Sequence, residues 1–231
     1  MAEKLKIYQI YYNQKTKTHC YNGRKWWKHY NNEFKLTPFF ENQVINDLLK
    51  NGEHKSSEYF GVFSHDISKE ITFKEESLHF NPENLRECLK SGHDVYSFQK
   101  RRKQDNIIYQ AENYHKGIVE MTEFILNKIG YEIPKKTDKI VLFNHFVMKS
   151  KIYERYYKEM LRPAMNVMKS MDELHQNAKY RQLSKKIYPK FTLTDNQGKE
   201  YNHFPYHPFI LERFVSVWLQ YNKQLTFKHI F

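Results

Sequence analysis

A chain of 231 residues fits one domain, or one domain with a helical appendage, and is long enough to bury a core. Hydrophobic residues at 40% and aromatics at 16% exclude a disordered tail, and no apolar run reaches the roughly 18 residues of a membrane span. Lys and Arg number 38 against 26 Asp and Glu, and the formal charge of +12 favours anionic partners (nucleic acid, acidic lipid or phosphorylated substrates) without choosing among them.

Leu5 to Tyr12 reads as a strand, rich in aromatic and β-branched residues and too short for a helix. Asn13 to His29 is polar and reads as a loop. Pro38 opens a helix in which Phe40, Val44, Ile45, Leu48 and Leu49 share a face, with Gly52 just past its end. Tyr59 to Ser64 is a second strand, in which Gly61 permits close approach of a neighbour. Asn81-Pro82-Glu83 starts a helix that runs through Leu85, Cys88 and Leu89 to Gly92. Asp94 to Phe98 is a third strand, and the basic block Lys100-Arg101-Arg102-Lys103 follows it. Tyr114 to Ile129 is helical and ends at Gly130, and Lys139 to Met148 reads as a buried strand. Ile152 to about Leu183 is a helical stretch that Pro163 must break or kink, and Pro208 starts a last helix through Phe209, Leu211, Phe214, Val215 and Trp218. Strands alternating with helices over the first 150 residues predict an α/β fold with a mostly parallel sheet, followed by a mainly helical part.

Cys20 and Cys88 are too few for a disulfide framework and read as free thiols in a reducing compartment. The first residues lack the apolar run of a secretion signal, so the expectation is a cytoplasmic protein that at most touches a membrane surface. There is no Gly-rich phosphate loop, no CxxC pair, no HExxH and no serine nucleophile elbow. His203 and His207 are four apart, but Pro205 between them argues against a shared helix face.

What remains is polar groups at strand ends, where open α/β sheets bind ligands beyond the carboxyl ends of their strands. The first strand offers Tyr11, Tyr12 and Asn13, the second Ser64, His65 and Asp66, and the third carries Asp94 and Tyr96. The fourth carries Asn144 and His145 inside an apolar run, as a structural hydrogen-bonded pair or as a functional one. Asp94 suits either a turn or a divalent cation on a diphosphate. Residues 24–29 interleave cations with Trp26 and Trp27, a mix that suits bases, sugars or a membrane interface, or else packs onto the core.

The segments at 6–13, 39–45, 59–64, 93–98, Gln110-Ala111-Glu112 with His115 and Gly117, 142–148 and 208–214 together resemble small GT-A-like glycosyltransferases of bacterial surface-polysaccharide clusters and viruses. The resemblance implies a single domain over 1–231, with a nucleotide-sugar-binding Rossmann-like part at 1–150 and a mainly helical part at 151–231. It implies hexosyl-type transfer from a nucleotide-sugar donor to the hydroxyl of a glycan or glycolipid acceptor. Carried over by position, Tyr11, Tyr12 and Asn13 bind the donor nucleotide, with Ser64, Tyr96 and Arg101 further along the donor site. Glu41, Asn144 and His145 line the donor or acceptor pocket, and Glu212 and Arg213 support it from the last helix. Asp94 takes the place of the acidic metal motif, so Mn2+ or Mg2+ is the implied cofactor, although His93-Asp94-Val95 replaces the usual Asp-x-Asp. Asp94, Glu112 and Glu41 are the candidate catalytic carboxylates. The charge and the aromatic content keep two other readings open: a nucleic-acid-binding protein, or a phage-type enzyme that glycosylates DNA bases. A catalytically idle interaction protein is a third.

Overall fold

The computed structural model describes residues 3–21, 24–33, 37–65, 67, 82–98, 106–176, 193–195, 197–201 and 203–230. Among them the strands are β1 (Glu3–Tyr11), β2 (Trp27–Asn31), β3 (Ser57–Phe63), β4 (Val95–Ser97), β5 (Phe146–Lys149), β6 (Leu193–Thr194), β7 (Glu200–Tyr201) and β8 (Phe227–His229). The helices are α1 (Gln14–Lys17), α2 (Glu41–Lys50), α3 (Pro82–Leu89), α4 (Ile107–Ala111), α5 (Ile118–Lys128), α6 (Ser150–Tyr156), α7 (Arg162–Met168), α8 (Glu173–Gln176) and α9 (His207–Tyr221).

Six strands form the central sheet in the order β2-β1-β3-β5-β4-β8, and β6 with β7 makes a separate hairpin. The pairs β1–β2, β1–β3 and β4–β8 are parallel, while β5 is antiparallel to both β3 and β4. Five strands therefore run one way and β5 runs the other, which makes the fold an α/β sheet, mostly parallel and flanked by helices.

The pleat sorts side chains to two faces. Tyr8, Ile10 and Tyr12 of the β1 segment, Phe60 and Val62 of β3, and Phe146 and Met148 of β5 join the larger core with α2, α5, α6, α7 and α9. Leu5, Ile7, Tyr59, Phe63, Tyr96 and Val147 point the other way, into a smaller core closed by Leu85 and Leu89 of α3 and by Trp26 and Trp27. Gly61 lies between Ile7 and Val147 in register, and a Cβ there would come within 2.8 Å of the Ile7 side chain and 2.9 Å of the Val147 side chain. The close approach expected at Gly61 is what lets β1, β3 and β5 pack at sheet spacing.

Several elements differ from their sequence expectation. The polar stretch from Asn13 to His29 is not all loop: Asn13 caps α1 through a reciprocal capping box with Thr16, and Trp27 begins β2. Both indoles are buried, Trp26 under Arg86 at 5.7 Å and Trp27 stacked on Phe63 at 5.7 Å, so here the packing alternative holds. The helix expected from Tyr114 starts at Ile118, because Gly117 takes φ 84° and breaks it from α4. The strand expected over Lys139 to Met148 is a reversal. Residues 139–142 run up beside the sheet, Phe143 and Asn144 turn with φ 55° each, and only Phe146–Lys149 returns as β5. The first limb has side-chain partners in place of a ladder: Ser97 Oγ donates to Ile140 O at 3.1 Å, and Ser216 Oγ accepts from Val141 N–H at 2.7 Å.

The expected break at Pro163 is an adjustment within a continuing helix. A π turn, Tyr157–Leu161, joins α6 to α7 and absorbs the missing proline N–H. Residues 177–192, Asn81 and Asp66 lie outside the described residues. The mainly helical part also returns to the sheet, since β8 pairs with β4 and α9 packs into the larger core. No helix among the described residues is long and apolar enough to cross a membrane.

Candidate functional site

Strand direction fixes which predicted residues can meet. The carboxyl ends of β1, β3 and β4 and the amino end of reversed β5 share one edge of the sheet. That edge carries Tyr11, Tyr12 and Asn13, then Ser64 and His65, then Asn144 and His145, then Phe98. The loop after β2 delivers Phe39, Phe40 and Glu41 to it, and the start of α9 closes over that loop, with His207 5.0 Å from the Phe39 ring.

Tyr12 is buried, and its phenol donates to Glu41 Oε1 at 2.5 Å. Glu41 opens α2, where the positive end of the helix favours a carboxylate. The His65 ring sits edge-on to Tyr12 at 5.7 Å and 6.4 Å from His19. The His145 ring is 6.5 Å from Phe63 and 5.9 Å from Phe143, and His145 O accepts from Phe98 N–H at 3.0 Å. Tyr11 is half-buried against His29, with the Lys17 ammonium 5.4 Å from its ring. Asn13 spends its side chain on the α1 cap, accepting Thr16 N–H at 2.9 Å.

Gln9 organises this edge from within β1, and sequence reading passed over it. Its Oε1 accepts from Tyr21 N–H at 2.9 Å and from Trp27 Nε1–H at 3.0 Å, and its Nε2 faces the Ser64 and His65 carbonyls at 3.4 Å. A fully buried Gln inside an aromatic strand is itself a signal, because a buried amide demands partners. His19 carried no such signal, because it joins the group only through the fold of the loop after β1.

The structure does not bring Asp94 into this group. Asp94 precedes β4 and so lies at the opposite edge, beside Lys149 at the end of β5. Its Oδ2 accepts the Thr226 N–H and the Thr226 hydroxyl at 2.9 Å each, and its Oδ1 accepts the Lys149 ammonium at 3.0 Å. Burial pushes its carboxyl up, but the hydrogen bonds from Thr226 and Lys149 outweigh this and hold it below the usual range. A carboxylate saturated by an ammonium and two further protein donors does not fit a divalent cation. Among the described residues, no three His, Cys, Asp or Glu side chains gather as a metal centre needs.

Tyr96 is also elsewhere. It is fully buried in the smaller core, and its hydroxyl accepts His93 N–H at 2.9 Å. Glu112 lies beside the start of α9, where Tyr206 donates to Lys116 O at 2.6 Å. Its carboxylate accepts the N–H groups of Gly117 at 2.6 Å and Val119 at 3.1 Å, which caps α5 and holds the acid below its ordinary range. Glu212 and Arg213 form a buried ion pair on α9. Burial pushes the Cys20 thiol up to about 11, which removes it as a nucleophile at neutral pH. Arg101 lies outside the described residues, with the rest of the basic block.

The carboxyl edge thus combines a phenol-clamped carboxylate, imidazoles from three different loops, and a turn bearing Asn144. Such a set can bind a polar ligand and accept a proton from it. Comparison of the chain with family models, with curated proteins and with solved structures gives no match.

Proposed function

We propose that the protein is a glycosyltransferase of GT-A type that holds a nucleotide-sugar donor across the carboxyl edge of its sheet. The observation that carries this reading is the Tyr12–Glu41 hydrogen bond of 2.5 Å, at the edge that also gathers His65, Asn144 and His145. Tyr11 takes the nucleoside end, with Tyr12 and Asn13 shaping the strand end behind it, and Ser64 the neighbouring part of the donor, while the buried Asn144 and His145 hold the turn that borders the acceptor side. In the transfer step an acceptor hydroxyl forms a bond to the anomeric carbon as the bond to the diphosphate oxygen breaks. Glu41 takes the hydroxyl proton, and Tyr12 fixes the orientation of the carboxylate. The diphosphate leaves with its electron pair, and Arg101, Arg102 and Lys103, which follow Phe98 in sequence, neutralise it.

Thermal stability measured against UDP-, GDP-, CMP- and TDP-sugars, with and without manganese, and then against DNA at low salt, tests the reading. A donor that binds only the folded chain raises the melting temperature. A shift with one nucleotide class supports the proposal. No shift with any donor, alongside a salt-sensitive shift with DNA, replaces it with the nucleic-acid-binding reading that the charge of +12 also permits.

A further inference from the structure

Between Lys4 and Asn32 the chain carries seven Lys or Arg and no Asp or Glu, so this run holds +7 of the net +12. It contains most of β1, all of α1 and β2, and β2 is the outermost strand of the central sheet. Lys6 is buried and tied to Glu53 at 2.8 Å. Lys15 and Lys17 of α1, Arg24 and Lys25 before β2, and Lys28 within it are all exposed. Among the described residues, Lys15, Lys17, Lys25 and Lys28 form no ion pair with a carboxylate. Cations gathered without acids repel one another, and a bound anion relieves that repulsion.

The fold wraps these cations round one edge of the sheet. The turn into β2 closes with Trp27 N–H on Arg24 O at 2.9 Å, which puts Arg24 and Lys25 at the amino end of the strand. Arg86 of α3, also exposed, reaches the same end over the Trp26 ring at 5.7 Å. Lys28 lies on the other face of β2, 5.8 Å from the Tyr8 ring. Lys17 marks the carboxyl end, 5.4 Å from the Tyr11 ring. At the usual rise, β2 covers about 13 Å between its end residues, so the cations line a path longer than one small anion. Edge strands carry lysine against pairing with other chains, but of these cations only Lys28 is on the strand itself. Tyr11, Tyr21 and His29 are half-buried among them, with the His29 ring 6.3 Å from that of Tyr11. A lipid surface asks for apolar side chains to insert. Here Trp26 and Trp27 are buried, and the large exposed hydrophobics among the described residues all belong to later segments.

We propose that the β2 edge, from Arg24 and Lys25 to Lys17, is a binding surface for single-stranded nucleic acid. Its phosphates pair with the exposed cations, and its unpaired bases meet Tyr11, Tyr21 and His29. A small phosphorylated molecule reaches one end of β2 only, whereas a strand of several nucleotides covers both. The surface goes beyond the transferase reading and does not depend on it.

Fluorescence anisotropy of a labelled oligothymidylate of about 20 nucleotides, titrated with the full chain, tests this. With Lys15, Lys17, Arg24, Lys25, Lys28 and Arg86 on phosphates, the logarithm of the affinity should fall against the logarithm of salt with a slope of about −4. Replacing Lys15, Lys25 and Lys28 together by Gln should bring that slope to about −2 and weaken binding at about 50 mM salt tenfold or more. The same three positions changed to Arg should bind like the wild type. All three side chains are exposed, so the melting temperature should not move. Replacing the exposed Lys128, Lys135 and Lys223 by Gln removes the same charge from α5, the loop after it and the approach to β8, and should leave binding as it was. An equal loss in the two Gln triples overturns the surface, because the net charge alone then accounts for binding. No binding by the wild type at about 50 mM salt overturns it as well. So does tighter binding of duplex DNA, or of phosphatidylserine vesicles, than of the single strand.

Discussion

Glu41, Asp94 and Glu112 are carboxylates with different donors around them, and the donors separate their roles. Glu41 meets a phenol at the carboxyl edge, Asp94 an ammonium and a threonine at the opposite edge, and Glu112 the open N–H groups of a helix start. On the proposed glycosyltransferase reading, Glu41→Gln keeps the shape and removes the proposed base, so sugar transfer should fall roughly 100-fold or more, with the donor-induced thermal shift kept. Glu112→Ala uncaps α5 and should cost about 1–2 kcal/mol in urea unfolding, with no effect on donor binding. Asp94→Ala should cost about 1–2 kcal/mol as well, from the lost ties between β4, β5 and the approach to β8, again without altering donor binding. Loss of donor binding in Asp94→Ala would return that residue to the site. The Asp94 carboxyl is depressed in the fold, so its contribution is complete above the ordinary aspartate range and drains away below about pH 4.

At the scale of elements, two places decide how the sheet is assembled. Gly61 is the point where β3 passes between Ile7 and Val147, and Gly61→Ala has no room on either side. Overpacking of this kind should destabilise by about 1–3 kcal/mol, measurable as a lower denaturation midpoint with an unchanged slope. The other place is the reversal at Phe143 and Asn144. Ten residues with the composition of one buried strand form two limbs, because Ser97 and Ser216 satisfy the first limb from the side and only the second pairs with β3 and β4. The polar Asn144-His145 pair was visible inside that apolar run, and it marks the turn, since Asn tolerates the left-handed region.

Over the whole molecule, buried histidines set the response to acid. Burial, reinforced by Arg213, pulls His115 down to about 4, and burial with neighbouring His175 pulls His207 down to about 3. Both are neutral in the fold, whereas the unfolded chain protonates them near the ordinary 6.5. Their contribution is therefore complete above that value and is lost as pH falls through the folded values. Each costs up to about 1.4 kcal/mol per pH unit in that window. Urea midpoints measured from pH 7 down to pH 4 should decline steadily, and His207→Asn should flatten the decline. The sequence by itself determined the mostly parallel α/β sheet, the strands β1, β3 and β4, the helices α2, α3 and α9, and the presence of Tyr11, Tyr12, Asn144 and His145 near strand ends, because period, caps and glycines are local. Only the tertiary structure decided that Asp94 and Tyr96 face away from those residues, that Trp26 and Trp27 are core, and that Glu41 pairs with Tyr12. Those outcomes depend on the direction in which each strand enters the sheet and on which loops close over one edge, and residue spacing carries neither.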